Sequence, residues 1–170
     1  MPLRGLNMRG ISSSGLQIFL ILCGIALMIY TFLKGKTSNT GANIYKIIKS
    51  HGFVDPLAKF VLSQAAHETA VLGVPFQSNI CRNNNNLFGM KYAGQVYADG
   101  EKNGYAYYTS VTRSVSDFTT WWNRHRTFIF PLYVTSIEDY VKFLKGQSYF
   151  EDTIENYTRG CKYFYNQFFA

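Results

Sequence analysis

Glu68 sits where a charged side chain needs a reason. Stepping 100° per residue along residues 55–72, DPLAKFVLSQAAHETAVL, puts Leu57, Phe60, Val61, Ala65 and Leu72 on one helical arc. Glu68 falls in the middle of that arc, with Gln64 one turn before it, while Lys59, Ser63 and Ala70 take the opposite side. A carboxylate buried without a partner costs several kcal/mol, so Glu68 is either ion-paired at a helix seam or opens into a cleft. In a cleft, desolvation raises its pKa, as a general acid working near neutral pH requires. Other chemistries find less support. The 3 His show no paired-ligand spacing, so no metal site is expected. No Ser-His-Asp or Cys-His signature appears, and nothing calls for a cofactor.

The elements that must carry Glu68 follow from punctuation and periodicity. Asp55–Pro56 predicts a helix start, with Asp55 as N-cap and Pro56 at the first helical position. Residues 44–51 predict a short amphipathic helix closed by Gly52. Gly73, Pro75 and the Asn run at 83–86 break the helical pattern. Short strands are predicted over 87–92 and 95–108, around Ala93–Gly94 and a turn at Asp99–Gly100, with another glycine at 104. Helices return over 114–125, 136–146 and 156–169, the second stopped at Lys145–Gly146. The fold class is α+β, mostly helical, with a cleft where the small β insertion meets the helices.

An apolar fraction of 47% supports a packed core, and 16% charged residues are too few for a disordered chain. The 13 Tyr, 14 Phe and 2 Trp give a core-filling supply of rings, some with the polar tips that suit a polymer-holding groove. Trp121 and Trp122 are adjacent and cannot share a helix face, so one is expected in the core and the other at the groove. Residues 40–170 hold 13 basic and 10 acidic side chains, a bias too mild for a nucleic-acid footprint. Residues 1–15 form a short basic leader, and residues 16–33 an uncharged apolar run. As a helix of 18 residues or more, that run covers about 27 Å or longer, against a hydrocarbon core of about 30 Å. An uncleaved membrane anchor is expected rather than a signal peptide, because Lys34 and Lys36 follow it directly. Residues 34–43 read as a flexible linker and 44–170 as the folded domain. Cys81 and Cys161 could pair if the domain is exported.

QAAHETA at 64–70, followed by NNNNLFGMKY at 83–92, resembles the glucosaminidase domain of bacterial and phage peptidoglycan hydrolases, the flagellar hydrolases and autolysins among them. SVTRSVSDFTTWW at 110–122, YVKFLKGQSYF at 140–150 and ENYTRG at 155–160 extend the resemblance over about residues 45–168. It implies a lysozyme-like fold with a small β-hairpin lobe and no cofactor. It also implies endo-β-N-acetylglucosaminidase cleavage of the glycan strand, with Glu68 as general acid. The family's second carboxylate is commonly on the hairpin, where the only acids between Glu68 and Asp117 are Asp99 and Glu101. Glu101 is the first candidate and Asp99 the second, both of them also explicable as turn residues. The substrate's own acetamido group is the alternative to either. Asn86, Phe88, Lys91, Tyr149 and Tyr157 match motif positions and become candidates for substrate binding, with turn capping the alternative for Asn86, packing for Phe88, Tyr149 and Tyr157, and a solvated strand position for Lys91. The expected partners are the peptidoglycan strand and, through residues 16–33, the cell membrane, with the folded domain on the extracytoplasmic side. The rivals are a muramidase or lytic transglycosylase on the same fold, and a wall-binding module without chemistry.

Overall fold

The computed structural model describes residues 18, 20–22, 24, 40–126 and 134–170. The chain divides into two units, residues 1–36 and 37–170. In the first unit the described positions, Ile18, Leu20, Ile21, Leu22 and Gly24, are helical, and the four large apolar side chains are exposed. The remainder of the expected span 16–33 lies outside the described residues. Among the described residues, no helix is long and apolar enough to cross a membrane.

The second unit is mostly helical, with one two-stranded antiparallel sheet. Its order is α1 (residues 40–50), α2 (Leu57–Thr69), α3 (Asn79–Asn84), β1 (Gly100–Lys102), β2 (Tyr105–Tyr107), α4 (Val111–His125), α5 (Ile137–Gly146) and α6 (Ile154–Phe169). Residues 40–43, expected to close the linker, belong to α1. A Cβ on Gly41 would stand 2.9 Å from the Phe168 ring, so α1 lies close against α6 there.

Asp55 does not cap α2. Its carboxylate accepts from the Tyr45 hydroxyl at 2.6 Å and pairs with Lys49 at 3.6 Å, leaving Pro56 at the cap position. The starts of α3, α5 and α6 are capped, with Ser78, Ser136 and Thr153 each accepting from a backbone N–H three residues on, whereas Ser110 ahead of α4 makes no side-chain cap bond. Helix α2 is the centre of the unit. It buries Ser63 as well as Phe60, Val61 and Ala65 of the predicted arc, because α2 is enclosed on more than one side. Leu57 is half-buried, whereas Leu72, expected on the same arc, lies beyond the helix end at Thr69 and is 98% exposed. An aromatic core of Phe53, Phe88, Phe118, Trp122 and Tyr140 packs with it, with Phe88 and Phe118 stacked at 4.1 Å.

The hairpin turns at Asn103–Gly104, not Asp99–Gly100. Both turn residues have positive φ, 56° and 80°, the geometry that two-residue Asn-Gly turns supply. The strands are short, with Gly100 opposite Tyr107 and Lys102 opposite Tyr105, and Lys91 adds an isolated bridge to Tyr105. The Asn run fastens this lobe to α3. Asn84 Nδ2 donates to the Lys102 carbonyl at 3.0 Å, and Asn85 Nδ2 donates to that of Tyr108 at 2.8 Å.

Candidate active site

Glu68 occupies the last turn of α2, and its carboxyl lines a cleft of about 570 Å³. One wall comes from the segment Phe88–Lys91 and Gln95. The other comes from Trp121 of α4 and residues 147–151, which follow α5. Gly89, at φ 61°, lies close to the carboxyl: a Cβ there would stand 3.2 Å from Oε2. Glycine therefore serves both the left-handed conformation and the close approach.

From behind, the Tyr157 hydroxyl of α6 donates to Glu68 Oε1. Tyr157 is buried, its ring stacked on Phe150 at 3.8 Å and met edge-on by His67 at 4.8 Å. Burial pushes the Glu68 carboxyl above the usual glutamate range, and the Tyr157 hydrogen bond pulls it partly back. Among the described residues no salt bridge reaches Glu68. The same burial holds the Tyr157 hydroxyl well above its ordinary value, so it is a donor throughout the working pH range. His67 is depressed by burial, with Asp152 opposing.

The other expected site residues separate into distinct roles. Lys91 and Tyr149 line the cleft, and Tyr149 ties its two walls by donating to the Phe88 carbonyl at 2.8 Å. Phe88 lines it too, but the ring is 2% exposed and belongs to the core stack. Asn86 does not reach the cleft. It is fully buried, and its amide donates to Met90 and Ala106 carbonyls while accepting from the N–H groups of Phe88 and Met90. That fills its hydrogen-bonding capacity and shapes the turn that brings Gly89 to Glu68. Tyr157 acts on Glu68 from behind and is not part of the cleft lining.

Neither hairpin acid lines the cleft. Asp99 accepts from Thr109 at 2.8 Å and pairs with Arg113 at 3.0 Å, which anchors the loop before β1 to α4. Glu101 is exposed on β1 and accepts from Gly104 N–H at 3.2 Å. Of the two tryptophans, Trp121 reaches the cleft and Trp122 is core. Gly89, Met90, Gln95, Gln147, Ser148, Phe150 and Glu151 complete the lining; none was named as a site residue from the sequence, although Gly89 and Met90 lie within NNNNLFGMKY and Gln147, Ser148 and Phe150 within YVKFLKGQSYF. Cys81 and Cys161 are both buried and free, and burial pushes their thiols up, to about 11 for Cys81. Among the described residues no cluster of His, Cys, Asp or Glu could hold a metal.

A half-buried acid beside an open, aromatic-lined cleft can protonate a leaving oxygen. The family model described as glucosaminidase, mannosyl-glycoprotein endo-beta-N-acetylglucosaminidase, matches residues 43–169. The chain belongs to this family. Its match covers α2, the Asn run, the hairpin and every cleft-lining residue. No curated protein and no solved structure matches the chain. As a glucosaminidase-family domain, residues 43–169 form a glycosidase unit of α+β class.

Proposed function

We propose that this glucosaminidase-family domain cleaves the glycan strand of peptidoglycan after N-acetylglucosamine, on a lysozyme-like framework with Glu68 as general acid. The observation that carries the reading is Glu68 itself: a carboxyl raised by burial, oriented by Tyr157, with its other oxygen beside Gly89 in an open cleft. In its protonated form, which burial favours, it gives its proton to the glycosidic oxygen as the C1–O bond breaks. Trp121 and Tyr149 offer ring surface to sugar faces, and Lys91, Gln95, Gln147 and Ser148 offer polar contacts to hydroxyl and acetamido groups. The apolar run 16–33 supports a membrane anchor that places the domain outside the cytoplasm, where the wall lies.

Mass spectrometry of the ends released from purified peptidoglycan tests this. N-acetylglucosamine reducing ends are expected. N-acetylmuramic ends would indicate a muramidase, and anhydro ends a lytic transglycosylase. Binding without turnover would leave a wall-binding module.

A further inference from the structure

Among the described residues, two carboxylates line the cleft, and the second is Glu151 rather than either hairpin acid. The loop carrying it is held from three directions. Lys145 Nζ donates to the carbonyls of Phe150, Glu151 and Asp152 at 3.3, 3.0 and 2.8 Å, which gathers the chain around one ammonium. Tyr149 clasps the Phe88 carbonyl across the cleft. Phe150 stacks on Tyr157, the residue that holds Glu68. Glu151 therefore follows directly in sequence the ring packed behind the acid, on backbone that is fixed rather than free. Its carboxylate is exposed and makes no ion pair or hydrogen bond through its side chain among the described residues, so it is available to a water or a sugar.

Resting on the glycosidase reading above, we infer that Glu151 is the second catalytic carboxylate, the base that activates the attacking water. The contrast between a half-buried acid and a solvent-exposed carboxylate in one cleft is the division of labour that glycoside hydrolysis uses. In the step, Glu68 gives its proton to the glycosidic oxygen, which keeps the electron pair of the breaking C1–O bond. Glu151 takes one proton from water as the water oxygen bonds to C1. One water is consumed, a hydroxyl forms on the leaving sugar, and a reducing end forms on the other. Direct attack by water inverts the anomeric centre. Lys145 is the positioning residue, because its three hydrogen bonds set the backbone from which Glu151 projects.

The test uses the 170-residue chain in detergent, with wild type, Glu151→Gln and Glu151→Ala assayed on purified peptidoglycan. Glu151→Gln is expected to lower kcat about a hundredfold or more with KM little changed. Added formate or azide is expected to restore part of the Glu151→Ala rate, and proton NMR to show the α-anomer as the first product. A Glu151→Gln rate close to wild type, or a β-anomer formed first, would overturn the assignment while leaving Glu68 and the glycosidase reading intact. A folded wild type that releases no ends removes both.

Discussion

The Tyr157 hydroxyl donates to Oε1 of Glu68 across 89 positions of sequence, joining the last turn of α2 to the first turn of α6. That bond fixes which oxygen of Glu68 faces the protein and which faces the cleft. It also opposes the rise in pKa that burial produces.

Tyr157→Phe keeps the ring on Phe150 and removes only the donor. A hydrogen bond to a charged group is worth about 1.5–3 kcal/mol, so kcat is expected to fall roughly tenfold to a hundredfold. The sign of the pH effect follows from the same bond. Without it the Glu68 pKa rises further, and the alkaline limb of kcat/KM moves to higher pH. A pH–rate profile of both proteins checks this, and an unmoved limb would separate Tyr157 from the acid.

Glu68 also links stability to pH. Above the ordinary carboxyl range the folded protein keeps a proton that the unfolded chain has released, so stability declines as pH rises through that window. Glu68→Gln has no proton to lose. Its melting temperature relative to wild type is expected to increase between about pH 4 and about pH 8. Thermal melts at both pH values measure it, and a difference that shrinks with pH would contradict a raised pKa.

Gly160 sets how closely α6 approaches α2. A Cβ there would stand 2.3 Å from the His67 ring, which is itself packed on Tyr157. Gly160→Ala is expected to cost about 1–3 kcal/mol by overpacking, read as a lower denaturation midpoint. Activity should fall in the still-folded variant, because α6 cannot move without carrying Tyr157 away from Glu68.

Glu68 was legible in the sequence because helical periodicity exposes a lone acid on an apolar face, and α4 to α6 were legible through their periodicity. Local signals misled where a side chain had a better distant partner. Asp55 resembles an N-cap, but Tyr45 and Lys49 take its carboxylate. Asp99–Gly100 resembles a turn, but Thr109 and Arg113 hold Asp99, and Asn103–Gly104 closes the hairpin. Asn86 looked like a cleft residue because its motif borders the cleft, yet its buried amide serves the backbone. The loop bearing Glu151 has no periodicity to read. The long-range contact Tyr149–Phe88 and the Phe150–Tyr157 ring stack hold it in the cleft that Glu68 lines.

The most direct test of the central claim compares peptidoglycan turnover by wild type and Glu68→Gln, with the folding of both confirmed. A general acid contributes about 10²–10⁴ in rate, so turnover by wild type and a loss of at least two orders of magnitude in the variant are expected. A Glu68→Gln protein that turns over peptidoglycan at a rate near wild type would contradict the assignment of Glu68 as the acid.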